Sequence, residues 1–79
     1  MSTKLDQYLA AAKRERTTKA YASAIRHFEV DWGGMLPASG EGVARYLADH
    51  AESLTANTLR QRLAALGHWH SAHGFVDPT

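Results

Sequence analysis

The stretch "TANTLRQRLAALGHWHSAHG", residues 55–74, decides the fold because it reads as a single helix with two unlike faces. Its apolar face comprises Leu59, Leu63, Leu66 and His70. Its polar face comprises Asn57, Arg60, Gln61, Ala64 and His68. Both faces follow the three- and four-residue spacing of an amphipathic helix. Thr55 suits the N-cap and Gly74 suits the end, so the stretch predicts a helix that packs one side against a core.

The same spacing predicts three further helices, and no stretch sustains the two-residue alternation of a strand. They cover about Thr3–Lys13, Thr17–Trp32 and Ser39–Ala51, the last of which begins at Ser39 or Gly40. A chain of 79 residues suffices for one domain with one modest core. The sequence therefore predicts an all-α fold, a compact bundle of four short helices that forms a single domain over residues 1–79.

The second predicted helix also has two faces. Its apolar stripe comprises Tyr21, Ile25, Phe28 and Trp32. Its opposite side carries the polar residues Arg16, Lys19, Ser23 and Arg26. Thr17 or Thr18 is expected to cap its start, and the glycine pair at 33–34 is expected to end it.

The first and third predicted helices supply further apolar stripes. That of the first comprises Leu5, Tyr8, Leu9 and Ala12. That of the third comprises Val43, Leu47 and Ala51, with Tyr46 alongside. Because the tyrosines lie on or beside these stripes, we expect all three to be core or boundary residues.

Composition narrows the class of protein. The chain has no cysteine, which excludes disulfides and thiolate metal sites. No apolar run is long enough for a membrane span, and no signal peptide opens the chain, so we expect a cytosolic protein.

The net charge is only +1, but residues 13–28 hold five Lys or Arg against one Glu, a balance of +4. Residues 29–52 hold five acids against one Arg, a balance of −4, so the charge is separated along the chain.

Catalytic and metal sites find little support in the sequence. No phosphate-binding glycine motif or nucleophile elbow is present. His70 and His73 lie one helical turn apart and are able to share a metal, but no convincing third ligand accompanies them. His70 lies in the leucine stripe, so we expect a core histidine bonded to the backbone, with no metal and no cofactor.

The polar faces of the second and fourth predicted helices carry the residue types that read nucleic acid. Arg and Lys bind phosphate or guanine, Asn and Gln bind adenine, and Ser and Thr bind phosphate or base edges. In the fourth helix they lie in the N-terminal half, where the helix dipole also favours phosphate. A helix entering the major groove by its N-terminus would bring to DNA the residues Thr55, Asn57, Arg60 and Gln61. An ordinary solvated surface is the alternative.

Most of the chain resembles the N-terminal core-binding domain of tyrosine recombinases, the phage-integrase family, also called the SAM-like integrase N-terminal domain. The likeness rests on three segments in order: "TTKAYASAIRHFEVDW" at 17–32, "LPASGEGVARYLADHAE" at 36–52, and "SLTANTLRQRLAALGHWHSAHGFVDPT" at 53–79. None of the three is specific alone, and their order and spacing carry the resemblance.

The resemblance implies a domain that clamps duplex DNA at the recombination site through its second and fourth helices. It implies no catalysis by this fragment, because cutting and joining belong to a C-terminal catalytic domain that is absent here, and residues 75–79 would begin the interdomain linker. Carried onto this sequence, the contact candidates are Arg16, Lys19, Ser23, Arg26, Thr55, Asn57, Thr58, Arg60 and Gln61. The implied partners are double-stranded DNA, the catalytic domain and neighbouring protomers on DNA, with no membrane. A cytoplasmic protein of bacterial, phage or plasmid origin is expected.

Small alanines at positions 20 and 22 stand where larger polar side chains would serve DNA binding, so we expect the isolated domain to bind weakly. Two other functions stay open. The first is a small helical protein–protein interaction module. Salt would not disrupt the apolar interface of such a module, whereas it would weaken DNA binding. A helix-turn-helix regulator would need a tight turn before the recognition helix, often with Gly, and "AESLTAN" lacks it.

Overall fold

The computed structural model describes residues 3–79, which form three helices and contain no strand. Helix α1 spans Lys4–Arg26 and continues into a π-helical turn, His27–Asp31. Helix α2 spans Gly40–His50, and helix α3 spans Ala56–Ala72. The predicted all-α class is confirmed.

The prediction of four helices was wrong, because the first two predicted helices are one. No Gly or Pro interrupts the chain between Lys13 and Thr17. Helix α1 therefore continues through this segment and is 23 residues long. The hydroxyls of Thr17 and Thr18 do not cap a helix. They donate to the carbonyls of Lys13 and Arg14 one turn earlier, at 3.1 and 2.9 Å. The side-chain cap of α1 is at its start, where Thr3 and Asp6 form a reciprocal capping box.

The continuous helix leaves the first apolar stripe without a partner. The side chains of Leu5, Tyr8 and Leu9 are each more than half exposed. The molecule is correspondingly elongated, with a longest dimension of 45 Å. The expectation that Tyr8 is a core or boundary residue was therefore wrong, whereas Tyr21 is half-buried and Tyr46 fully buried.

The end of the first long helix is fixed by two glycines, as predicted. The backbone N–H of Trp32 donates to the carbonyl of His27, and Gly33 adopts a left-handed φ of 83°. Gly34 lies against the ring of Phe28, where a Cβ would approach to 2.5 Å. Only glycine allows the chain to turn this closely around the buried phenylalanine.

The core forms where the end of α1, α2 and α3 meet. Its central cluster of buried side chains comprises Phe28, Val43, Tyr46 and Leu66. Partly buried side chains that pack around them are Ile25, Trp32, Leu36, Ala38, Leu47 and Leu63. Helix α2 begins after Ser39, whose hydroxyl accepts from the N–H of Gly42. Its bounds agree with the prediction, although Tyr46 is more central to the core than the predicted stripe placed it.

His70 is the core histidine that the sequence predicted. Its side chain is fully buried, with Nδ1 2.6 Å from the carbonyl oxygen of Leu66 and Nε2 2.8 Å from the backbone N–H of Ala38. Both ring nitrogens are thus bonded to backbone. The interaction joins α3 to the loop before α2.

Helix α3 ends in a Schellman motif, which turns the last residues back onto the bundle. The N–H of Phe75 donates to the carbonyl of His70 at 2.8 Å, and the Phe75 ring stacks on that of Trp69. A Cβ at Gly67 would lie 2.7 Å from the Asp77 carboxylate, so this acid packs directly over α3. Within residues 75–79, predicted as the start of a linker, Phe75 and Asp77 therefore lie against α3.

Candidate nucleic-acid interface

Four of the nine predicted contact residues lie along one side of α1. Arg16, Lys19, Ser23 and Arg26 follow a spacing of three, four and three residues and are all exposed. Since successive residues are rotated by about 100°, the four positions are spread over an arc of roughly 80° around the helix axis. Because α1 is continuous through Arg16, the structure aligns this arginine with the other three in one stripe.

The first turns of α3 carry the second group. Asn57, Arg60 and Gln61 are exposed. A guanidinium nitrogen of Arg60 donates to the side-chain oxygen of Asn57 at 3.0 Å. This bond uses one of the five N–H groups of the arginine and orients the rest toward solvent, where a phosphate or a base edge is able to accept them.

The two remaining candidates have a structural role in the free protein. The Thr55 hydroxyl accepts from the backbone N–H of Thr58 at 3.2 Å and lies 2.9 Å from the Thr58 hydroxyl, to which it donates. This is the N-cap of α3 that the sequence predicted. Thr58 is also half-buried, so its side chain is less available to a ligand than its neighbours on the exposed face.

The two groups meet at a shallow depression between α1 and α3. Its volume is about 330 Å³, and it is lined by Ala20 and Ser23 from α1 and by Gln61 and Arg62 from α3. Ser23 and Gln61 thus line the same depression from opposite helices. Arg62 was not among the predicted contacts, because its position beside the apolar face of α3 gave no signal for one.

Arg26 borders a different surface. It lines an open groove of about 810 Å³ between α1 and the C-terminal part of α3, together with Lys13, Arg14 and Trp69. Among the predicted contacts, Ser23 and Gln61 line the depression, whereas Arg26 lines the groove.

The charge of the α1 stripe is only weakly neutralised. Lys19 pairs with Glu15 at 3.3 Å, but both side chains are largely exposed. Exposed pairs at this spacing contribute about 0.3–0.5 kcal/mol and are screened by salt. The Lys19 ammonium is therefore able to exchange the carboxylate for a phosphate at little cost.

A cluster of titratable groups behind this surface escaped the sequence analysis. The Tyr46 hydroxyl lies 2.6 Å from Nδ1 of His27, and the His50 ring packs against both rings. Burial, reinforced by the charges of Arg62 and His50, lowers the pKa of His27. Burial also raises the pKa of Tyr46. His27 and Tyr46 are 19 residues apart, so nothing in local spacing indicated that they meet.

Other kinds of site are not evident within residues 3–79. No three His, Asp or Glu side chains of this part of the chain come together as metal ligands. Among the same residues, none of the helices combines the length and the apolar character that crossing a membrane requires.

Comparison with known proteins gives one informative relative. The chain is 38% identical over 80 residues to an integrase/recombinase, a xerD homolog, of Selenomonas ruminantium. The aligned region covers 95% of this chain but only 23% of that protein. No family model matches the chain, and no solved structure matches it.

This similarity agrees with the resemblance that the sequence suggested. An identity of 38% that extends over nearly the whole chain is not confined to one motif, since it includes α1, α2 and α3 alike. The chain is therefore similar, along almost its entire length, to a part of a XerD-like integrase/recombinase, that is, of a tyrosine recombinase.

Proposed function

We propose that this chain is the DNA-binding, core-binding domain of a site-specific tyrosine recombinase, and that it holds duplex DNA at the recombination site. The observation that carries the proposal is the 38% identity to an integrase/recombinase over 95% of the chain. The coverage of 23% of that relative supports one domain of a larger protein, in the SAM-like N-terminal position that the resemblance implies.

In this proposal α1 and α3 grip DNA from the two sides of the shallow depression. Arg16 and Lys19 neutralise phosphates, which positions the duplex. Asn57, Arg60 and Gln61 reach base edges, because amide and guanidinium groups match the acceptors of adenine and guanine in the major groove. The unpaired N–H groups at the start of α3 add a favourable field for phosphate.

Strand cleavage belongs, in the same proposal, to a separate catalytic domain. The Tyr46 hydroxyl is fully buried and lies against His27, so it is unable to attack a phosphate. Tyr21 is half-buried and packs on the ring of His68. In this proposal the role of the chain is binding and orientation.

The test is a fluorescence anisotropy titration of labelled duplex DNA at low and rising salt. Neutralising about four phosphates predicts a slope of log K against log salt of roughly −3 to −4. Lys19→Ala and Arg60→Ala should each weaken binding on the order of tenfold at about 50 mM salt, since each removes one phosphate or base contact. Circular dichroism should show that both variants remain folded.

Arg45→Ala is the matched control. Arg45 is an exposed cation on α2 and pairs with Glu41 at 2.7 Å, away from both stripes. Its removal should change DNA affinity much less than the loss of Lys19 or Arg60. Unchanged affinity in both test variants would contradict the proposal.

A protein–protein interaction module is the second candidate, and the exposed stripe of Leu5, Tyr8 and Leu9 favours it. Apolar stripes of this kind often dock a partner helix. Salt separates the two functions, because apolar association persists at ionic strengths that abolish phosphate binding.

A further inference from the structure

One titratable side chain on the depression side of α1 was not among the predicted contacts, namely His27. It follows Ser23 by four residues and Ala20 by seven, so it lies within about 40° of both around the helix axis. Its backbone N–H donates to the carbonyls of Ala24 and Ser23, so the helical spacing extends to this residue. His27 therefore continues the line of Ala20 and Ser23, whereas Arg26 lines the groove.

The ring of His27 is held in place by α2. Its Nδ1 lies 2.6 Å from the hydroxyl of Tyr46, and its ring packs edge-on against the rings of Tyr46 and His50. Tyr46 is fully buried and His27 is half-buried, so the bond fixes the imidazole at the boundary between core and surface. A tyrosine hydroxyl both donates and accepts, so this bond forms whether the ring is neutral or protonated. With Nδ1 engaged, Nε2 is the atom that would meet a ligand.

The charges that act on His27 come from all three elements packed around it. Burial, the charge of Arg62 on α3 and that of His50 on α2 lower its pKa, whereas Asp31 in its own turn raises it. The imidazole of the free protein is therefore mainly neutral at pH 7. Arg62 is half-buried and lines the depression together with Ser23. An anion at this end of the depression would find basic side chains on three sides.

We propose that His27 and Arg62 form a phosphate site at the α2 end of the depression, and that His27 takes up a proton from solvent when the DNA backbone occupies it. The inference rests on the proposed function, since its ligand is the phosphodiester of duplex DNA. A phosphate beside the ring reverses the local balance, because its oxygens attract the imidazolium that Arg62 repels. The protonated Nε2 and the Arg62 guanidinium then both donate to phosphate oxygens.

Proton uptake makes the affinity for DNA depend on pH. Affinity increases as the pH falls wherever the complex binds more protons than the separate molecules do. This window lies between the lowered pKa of His27 in the free protein and the higher pKa of the same ring in the complex. Above the window the neutral ring contributes little, and the remaining contacts hold the duplex.

The first test measures DNA affinity against pH by fluorescence anisotropy, at a constant ionic strength. The parent should bind on the order of tenfold more tightly at pH 6 than at pH 8 in about 50 mM salt, the effect of one additional phosphate contact. In His27→Asn the side-chain oxygen is still able to accept from the Tyr46 hydroxyl, but the side chain does not titrate. Its affinity should therefore be the same at both pH values. A pH dependence that this variant retains would overturn the proposal.

His73→Asn is the matched control. His73 is exposed just after α3 and lines the groove, so the substitution removes a titratable ring of the same kind away from the depression. This variant should keep the full difference in affinity between pH 6 and pH 8. Equal loss in the two variants would mean that acid attracts DNA through net charge alone, and would overturn the proposal. Circular dichroism at pH 6 should show that both remain folded.

NMR measures the proton uptake directly. The Hε1 resonance of His27, identified by its absence in His27→Asn, reports the pKa of the ring with and without saturating duplex. The duplex should raise this pKa in the parent. Arg62→Gln should raise it already in the free protein, because a repelling charge is lost, and should weaken DNA binding at pH 6 and pH 8 alike. An unchanged pKa on saturation with duplex would overturn the proposal, and unchanged affinity in Arg62→Gln would remove Arg62 from the site.

Inorganic phosphate distinguishes the sources of the ligand. Titrated against chloride at equal ionic strength, it should raise the pKa of His27 at millimolar concentrations, whereas duplex should do so at far lower phosphate concentrations. A response to inorganic phosphate without a response to duplex would indicate a site for free anions and overturn the assignment to DNA. DNA binding without pH dependence would overturn this inference and leave the proposed function standing. Absence of DNA binding at every pH would overturn both.

Discussion

His70 accepts a hydrogen bond at Nε2 from the backbone N–H of Ala38, 2.8 Å away, across 32 residues of sequence. Its Nδ1 lies 2.6 Å from the carbonyl oxygen of Leu66, which only accepts. The two partners together require a neutral ring with its hydrogen on Nδ1. One buried side chain thus fixes the loop before α2 to the middle of α3.

Replacement of His70 with Ala should therefore destabilise the whole domain. The change leaves the Ala38 N–H without its partner and opens a cavity beside Leu66, at a combined cost of about 3 kcal/mol. A helical domain of this size without disulfides has about 3–5 kcal/mol in total, so the variant should retain no more than about 2 kcal/mol and unfold at much lower urea than the parent. Urea denaturation followed by circular dichroism measures this.

His68→Ala is the matched control for that change. His68 is exposed on the same helix, and its loss should cost less than about 1 kcal/mol. Equal destabilisation by the two substitutions would contradict a special role for His70.

The sequence predicted most of the fold where local chemistry decides it. The cap at Thr55, the glycine ending at 33–34 and the burial of His70 all follow from short-range patterns, and all are present. The break before Thr17 was wrong because a threonine hydroxyl serves equally as an N-cap or as a donor to the preceding turn. Local sequence does not distinguish these two uses.

The unfolding free energy should fall as the solution is made more acidic than pH 6.5. Burial, with the charges of Arg62 and His50, lowers the pKa of His27 below its ordinary value of 6.5. The folded state therefore favours the neutral ring, and its contribution is complete above pH 6.5. It declines as the pH falls from 6.5 through the lower pKa of the folded state.

Urea titrations between pH 5 and pH 8 measure how the unfolding free energy depends on pH in the parent protein and in His27→Asn. In His27→Asn, the side-chain oxygen lies near the position of Nδ1 and does not titrate, so the slope of stability against pH should become smaller. A slope identical to that of the parent would assign the acid sensitivity to another group.

Thr55 should stabilise the protein as the N-cap of α3. Thr55→Ala removes the hydroxyl that accepts from the Thr58 N–H, and should lower the unfolding free energy by about 1 kcal/mol. Thr55→Ser retains the cap and should restore that loss. Thermal melts of the two variants measure the effect, and equal melting temperatures would show that the cap contributes nothing.

The candidate interface was only partly predictable from sequence. Helical periodicity grouped Arg16 with Lys19, although the predicted helix start at Thr17 left Arg16 outside, and only the continuity of α1 places both on one helix. It did not indicate that Ser23 and Gln61 line the same depression, because that depends on how α1 packs against α3. It also did not place Arg26 on the 810 Å³ groove, which exists only in the folded chain.

A substitution in the depression lined by Ser23 and Gln61 should increase the affinity for DNA. Ala20 is exposed and lines the same depression, so Ala20→Lys places a new ammonium between the two proposed contact groups. One additional phosphate contact should raise DNA affinity on the order of tenfold at about 50 mM salt and steepen the salt slope by about 0.9. Ala44→Lys adds the same charge on the exposed side of α2 and should raise affinity by less than about twofold, because its effect is screened by salt. Equal gains from both lysines would mean that net charge alone attracts the DNA, and the assignment of the interface to α1 and α3 would fail.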